Sequence, residues 1–79
     1  MSAKEMFEKL GYKENRDDDY IEWINIVDDI VFDIAFDYNT HLIEIYCYKD
    51  MRFKDKYDKI ITLEELQAIN KQVEELGWK

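Results

Sequence analysis

The sequence lacks the residues on which many small proteins depend for stability or chemistry. It contains no proline, two glycines, one cysteine and one histidine in 79 residues. A single cysteine excludes an intramolecular disulfide, and no Cys/His cluster is present to bind structural zinc. Two glycines provide no glycine-rich loop for phosphate. We therefore expect one domain, residues 1–79, that is held together by packing and has no cofactor and no metal site.

Long hydrophobic runs and an excess of positive charge are also absent. No apolar run approaches the roughly 20 residues of a membrane span, and the N-terminus has no apolar signal segment. The formal net charge of −8 argues against direct binding of nucleic acid or of an anionic membrane, because both require Lys and Arg. These features predict a reduced, cytoplasmic setting and a partner with a basic surface.

The residues that are present supply a core and a strongly segregated charge. Hydrophobic residues make up 47% of the chain and aromatic residues 15%, which is enough for a folded domain and unlike a disordered acidic tail. Residues 14–50 hold eleven acidic and two basic residues, so this segment carries more than the whole net charge. Its acidity is the feature that could indicate a partner.

Both ends of the chain have the pattern of a capped amphipathic helix. Ser2 and Glu5 form one predicted capping box, and Thr62 and Glu65 form another. Gly11 and Gly77 are placed to end these helices, with Tyr12 and Trp78 making the apolar contact that often follows. The predicted apolar faces are Ala3, Met6, Phe7 and Leu10 in the first helix and Leu66, Ile69, Val73 and Leu76 in the second.

Between the helices the apolar period changes to two, which predicts strands. With turns at residues 28–29 and 39–40, antiparallel pairing places 27 opposite 30, 25 opposite 32, 23 opposite 34, 36 opposite 43, 34 opposite 45 and 32 opposite 47. These pairs are apolar on one face, except at Asn25. The first strand is expected at about residues 20–27, and a loop at residues 13–19. Residues 50–59 are expected to form a loop, with a short fourth strand as the alternative.

The predicted fold is α+β, in the order helix, three-stranded antiparallel sheet, helix, with both helices on one face of the sheet. In this arrangement five strand residues pack against five helix residues. They are Phe32, Ile34, Phe36, Ile43 and Ile45 on the strands, and Phe7, Leu10, Leu66, Ile69 and Val73 on the helices.

The sequence offers little that is typical of an enzyme. His41 and Cys47 lie six residues apart along one predicted strand, roughly 20 Å, which is too far for a nucleophile and its base. Asp17, Asp18 and Asp19 lack the spacing of a calcium loop, so a solvated loop explains them. We therefore predict no catalytic residues and no enzymatic activity.

The opposite face of the predicted sheet, here called the outer face, combines acidic, aromatic and aliphatic residues. It consists of Tyr20, Glu22, Ile24, Ile26, Val31, Asp33, Ala35, Asp37, Leu42, Glu44, Tyr46 and Tyr48. Exposed aromatic groups rimmed by charge are typical of a protein interface. We predict partner binding by Tyr20, Glu22, Asp33, Asp37, Glu44, Tyr46 and Tyr48. Self-association through the same face, giving a homodimer, is the alternative.

Both ends of the chain resemble those of a group of small uncharacterised proteins encoded by phages and prophages of low-GC Gram-positive bacteria. The similar stretches are residues 3–12, AKEMFEKLGY, and 61–78, ITLEELQAINKQVEELGW. The resemblance implies a phage or mobile-element origin and the host cytoplasm, and it implies no activity or site residue.

Two functional hypotheses follow from charge, size and this resemblance. The first is a non-enzymatic module whose acidic outer face binds a basic surface of a host or phage protein, with nucleic-acid mimicry against a host defence protein as one form of it. The second is a self-associating structural or accessory phage protein.

Overall fold

The computed structural model describes residues 1–49, 55–56 and 61–78. Two helices flank a single sheet of strand order β1-β2-β3-β4-β5 in which all neighbours are antiparallel. The elements are α1 (Ala3–Lys9), β1 (Lys13–Arg16), β2 (Tyr20–Val27), β3 (Ile30–Asp37), β4 (Ile43–Lys49), β5 (Asp55–Lys56) and α2 (Leu63–Leu76). The α+β class and the helix, sheet, helix order are confirmed, but the prediction of three strands is wrong. Four main strands are present, and β5 adds two residues at one edge.

The strand missing from the prediction is β1. Residues 13–16 were expected in a loop, yet Lys13 pairs with Ile24 and Arg16 with Ile21. All four β1 residues are exposed, so they have no apolar alternation to indicate a strand, and the pairing uses the backbone of β2. At the other edge, Asp55–Lys56 pairs with Tyr48 and Lys49, and the rest of the predicted 50–59 loop lies outside the described residues.

The predicted register of β2, β3 and β4 is confirmed. Trp23 lies opposite Ile34, and Ile34 lies opposite Ile45. Asp28 and Asp29 have φ values of 49° and 69°, the conformation of the two-residue turns that match the twist of a hairpin. The β3–β4 loop is longer than the predicted turn, because the Asp37 N–H donates to Leu42 O at 3.0 Å and encloses residues 38–41.

Both predicted capping boxes are present, at Ser2 with Glu5 and at Thr62 with Glu65. The predicted glycine stops are also confirmed, since Gly11 has a φ of 96° and Gly77 a φ of 72°. The Tyr12 N–H donates to Phe7 O at 3.0 Å, closing the end of α1 in a Schellman arrangement.

The core lies between the helices and the inner face of the sheet. The Phe7 ring stacks on Trp23 at a centroid distance of 4.8 Å and meets Phe36 edge to face at 6.4 Å. Residues of α1, α2, β2 and β3 share this cluster. Its buried members are Ala3, Phe7, Tyr12, Ile21, Trp23, Ile34, Phe36, Ala68 and Ile69.

Two of the residues expected in the core are exposed, and the predicted face of α2 is rotated. Ile43 is 37% exposed and Leu66 is 46% exposed, whereas Glu65 and Gln72 are buried. The polar residues face inward because each has a partner there. Trp23 Nε1 donates to Gln72 Oε1 at 3.0 Å, and the Tyr12 hydroxyl donates to the Glu65 carboxylate.

Asn25, the polar exception in the predicted inner face, is held by the end of α1. Its Nδ2 donates to Leu10 O at 3.4 Å, so it satisfies a carbonyl that the helix leaves without an internal partner.

Candidate functional site

The outer face is built from four rows of residues that lie side by side across β2, β3 and β4. The rows are Tyr20, Asp37 and Leu42; Glu22, Ala35 and Glu44; Ile24, Asp33 and Tyr46; and Ile26, Val31 and Tyr48. The second and third rows bring Glu22, Asp33 and Glu44 together on three adjacent strands. Three carboxyl groups therefore lie near one another at the centre of this face.

Asp33 is the most unusual of these residues, because it is only 5% exposed. Its Oδ1 atom is buried and has no hydrogen-bond partner. Burial, a hydrogen bond with the Glu22 carboxyl group and the charges of Glu22 and Glu44 raise the pKa of Asp33 to about 8. With this raised pKa, the Asp33 carboxyl group is largely protonated at neutral pH.

Tyr46 and Tyr48 differ in their exposure, although both were predicted to bind a partner. The Tyr46 hydroxyl donates to the Glu44 carboxylate, and this hydrogen bond is the main reason that the pKa of Tyr46 is raised. Tyr48 is 2% exposed, and its burial, followed by the charges of Asp33 and Glu22, raises its pKa. Tyr46 is thus half-buried, whereas Tyr48 is almost completely buried.

Asp37 has a structural role in the β3–β4 loop as well as a place on the outer face. Its Oδ1 accepts hydrogen bonds from the backbone N–H groups of Asn39 at 2.8 Å and Thr40 at 3.0 Å. These hydrogen bonds lower the pKa of Asp37. Its carboxylate therefore remains ionised and fixed in direction.

The β1–β2 loop continues the acidic surface beyond the end of the sheet. Tyr38 N–H donates to Asp19 O at 2.9 Å, and Asn39 Nδ2 donates to Asp19 Oδ1 at 3.3 Å. These contacts hold the loop with Asp17 and Asp18 next to the β3–β4 loop. The acidic β1–β2 loop therefore lies beside the end of the sheet that carries Asp37.

A depression of about 210 Å³ lies within the outer face. Ala35, the smallest side chain in its row, forms the floor, with Glu22 and Glu44 on its two sides. The other lining residues are Tyr20, Asp37 and Tyr46. The depression is therefore lined by three carboxyl groups and two phenol rings.

The ion pairs of residues 1–49 and 61–78 lie away from these carboxylates. The ion pairs among residues 1–49 and 61–78 join Lys4 to Glu8, Arg16 to Glu14 and Lys71 to Glu74. None of these described pairs includes a carboxylate of the outer face. Lys13, on the edge strand β1, is in register with Ile24 of the third row.

Cys47 and His41, which were considered as a nucleophile and its base, lie apart from the outer face. Cys47 is buried, and the exposed His41 ring stacks on Trp78 at a centroid distance of 4.5 Å. Within the described segments, no three His, Cys, Asp or Glu residues are grouped to bind a metal ion. None of the helices in the described part of the chain has the length and apolar character needed to cross a membrane.

Two features of the site had no signal in the sequence. The alternation of β3 placed Asp33 on the outer face, but nothing in it indicated that the carboxyl group would be buried. Ala35 was part of the predicted face, although its role as the floor of a depression depends on Glu22 and Glu44 in other strands.

Comparison of the chain with protein-family models, with curated proteins and with solved structures gave no match.

Proposed function

We propose that this protein is a small non-enzymatic binding module of phage type whose acidic outer face binds a basic surface of a host or phage protein. The observation that carries the proposal is the meeting of Glu22, Asp33 and Glu44 on three adjacent strands without a basic side chain among the described residues between them. The like charges of Glu22 and Glu44, on either side of the largely protonated Asp33, repel each other in the free protein. A basic partner would convert that repulsion into attraction.

The shape of the acidic surface favours one form of this function, mimicry of a nucleic acid. Carboxylates extend from Asp17–Asp19 in the β1–β2 loop across Asp37 to Glu22 and Glu44. A groove that binds phosphates through Lys and Arg also attracts carboxylates in such an array, and steering by opposite charge speeds the encounter. The target would then be a nucleic-acid-binding protein, such as one involved in host defence.

Capture from a bacterial lysate with matched baits tests the proposal. The outer-face variant carries Glu22→Gln and Glu44→Gln. The control variant carries Asp28→Asn and Asp29→Asn, which make the same change in net charge in a turn whose conformation suits Asn. Each tagged protein is incubated with lysate, with and without nuclease, and captured proteins are identified by mass spectrometry.

We expect the wild type and the control variant to capture the same basic, nucleic-acid-binding protein, in larger amount after nuclease treatment. The outer-face variant should lose this protein, because the control variant has the same net charge and only the position of the charge differs. Equal capture by all three baits would overturn the proposal.

Sedimentation velocity of the free proteins examines the alternative of self-association. We expect the wild type to sediment as a monomer at both low and high salt. A wild-type dimer that Tyr46→Ala dissociates would show instead that the outer face binds a second copy of this chain.

A further inference from the structure

Strand β1 is an open edge of the sheet. Its residues Lys13–Arg16 are all exposed, and it pairs with β2 on one side only. Within residues 1–49, 55–56 and 61–78, no strand lies on its other side. An edge strand of this kind presents backbone N–H and C=O groups to which another strand can bind.

The hairpin between β1 and β2 determines which backbone groups of β1 point to the open side. The Asp17 N–H donates to Tyr20 O at 2.9 Å, and hydrogen-bonded pairs alternate with non-bonded pairs along an antiparallel ladder. In the observed register, residues 15 and 13 therefore bond to β2. The N–H and C=O groups of Glu14 and Arg16 point the other way, to the open edge.

A second copy of β1 fits this edge in one register. In a two-fold symmetric antiparallel pair the outward groups must face each other, so Glu14 lies opposite Glu14, Arg16 opposite Arg16, or Glu14 opposite Arg16. The first two registers place like charges opposite one another, which is destabilising. In the third, both pairs of Glu14 with Arg16 exchange their backbone hydrogen bonds and carry opposite charges.

The same register also matches the charges on the other face of β1. It places Lys13 opposite Asp17 of the second copy, and Asn15 opposite its own equivalent. Arg16 Nη2 already lies 2.8 Å from Glu14 Oε1 within the strand, so two copies bring these side chains into a ring of alternating charge. Charged edges usually prevent strands from pairing, but here the order of the charges selects one partner strand.

We propose that β1 is the docking site for β1 of a second copy of this chain, which joins the two sheets edge to edge in one antiparallel sheet. The two-fold axis passes between the two Asn15 residues, perpendicular to the sheet, so both outer faces point to the same side. The pairing uses the β1 edge of each copy, and it therefore stops at two chains.

The size of the contact sets its strength. Only residues 13–17 of each chain take part, which is less than the interface of a stable dimer, and we expect a Kd on the order of 1 mM. The free protein is therefore monomeric at the micromolar concentrations of sedimentation. Two copies held side by side on one partner would pair at a lower total concentration, because their local concentration is high.

NMR spectroscopy of isotope-labelled protein from about 20 µM to about 2 mM tests the inference, in about 0.15 M salt to screen the repulsion between two acidic chains. Backbone amide shifts report pairing residue by residue, and translational diffusion reports size. Glu14→Arg and Arg16→Glu each place like charges opposite one another in the proposed register. Glu74→Arg and Lys71→Glu, on α2, make the same changes in net charge and are the controls.

We expect the amide protons of Glu14 and Arg16 to move downfield as the wild type is concentrated, with roughly half of the chains paired at the highest concentration. Those of Lys13 and Asn15, already bonded to β2, should change less. Both controls should behave like the wild type. Each single variant should lose the change, and an equal mixture of Glu14→Arg and Arg16→Glu should restore it, because each copy then meets charges opposite to its own. The amide spectrum itself shows whether each variant is folded.

Wild-type shifts and diffusion that stay constant up to the highest concentration would overturn the inference. So would concentration-dependent shifts that persist in Arg16→Glu, or that lie on the outer face instead of on β1. Capture from lysate tests the proposed function separately, through variants at Glu22 and Glu44, so either proposal can fail without the other.

Discussion

Replacement of Asp33 by Asn should stabilise the free protein, and increasingly so at higher pH. The pKa of Asp33 in the folded protein is about 8, above the value of about 3.9 in an unfolded chain. Between these values the folded chain binds more protons than the unfolded chain, so stability falls as the pH rises. An Asn side chain resembles the protonated acid and removes this dependence.

The size of the effect follows from the shift in pKa. At pH 7 the unfolded carboxyl group has passed its pKa by roughly 3 units, and each unit corresponds to about 1.4 kcal/mol, which sets an upper value of roughly 4 kcal/mol. Relaxation of the surroundings and entry of water around an ionised Asp33 reduce this value. We therefore expect Asp33→Asn to raise the free energy of unfolding by on the order of 2 kcal/mol at pH 7, with a smaller gain at pH 5 and the largest gain above pH 8.

Urea unfolding of the wild type, Asp33→Asn and Asp37→Asn at pH 5, 7 and 8.5 measures the effect. Asp37→Asn makes the same side-chain substitution on the same face but should act in the opposite direction. The lowered pKa of Asp37 means that its carboxylate stabilises the fold above the unfolded pKa, and that this stabilisation is lost as the pH falls through the folded pKa. Should the stability of Asp33→Asn run parallel to that of the wild type across this range, Asp33 is ionised in the folded protein and the reasoning is wrong.

Three further substitutions probe the core and the helix contacts, each by urea or thermal unfolding. Ile34→Ala, at a fully buried position, should lower the free energy of unfolding by roughly 2–5 kcal/mol; an unchanged urea midpoint would contradict the assignment of the inner face. Thr62→Ala removes the hydroxyl that accepts from Glu65 N–H at 3.1 Å and should cost roughly 0.5–2 kcal/mol, so a wild-type melting temperature would refute its capping role. Tyr12→Phe removes the hydrogen bond to Glu65 and should cost about 0.5–3 kcal/mol; a loss no larger than that of Tyr20→Phe, at a half-buried position, would show that this contact adds nothing.

The period-two spacing of apolar residues correctly predicted the pairing of strands that are neighbours in the sequence. The register of β2, β3 and β4 followed from alternating apolar residues and two turn segments, and Asn25 was recognised as its exception. β1 was missed because Lys13–Arg16 has no apolar residue. The alternation of apolar residues that predicts a strand is therefore absent there, although the backbone pairs with β2.

The inward face of α2 was predicted only in part, because it is partly polar: Ile69, Val73 and Leu76 pack in or against the core, but Leu66 is exposed. Glu65 and Gln72 are buried because of Tyr12 and Trp23, which lie about fifty residues away in the sequence. The same limit applies to the candidate site. The shared face of Glu22, Asp33 and Glu44 could be predicted from strand alternation, whereas the burial of Asp33 depends on packing from several strands.

The order of strands in the sheet also affects the rates of folding and unfolding. Every strand pairs with its neighbour in sequence, so the hairpins form by closing short loops, at a low cost in chain entropy. Contacts between distant parts of the chain, such as Ala3 N–H to Glu75 Oε2 at 2.8 Å and Trp23 to Gln72, belong to α2. Docking of α2 is then the late step in folding. Substitutions on its inward face should mainly accelerate unfolding, so this helix controls how long the native state persists.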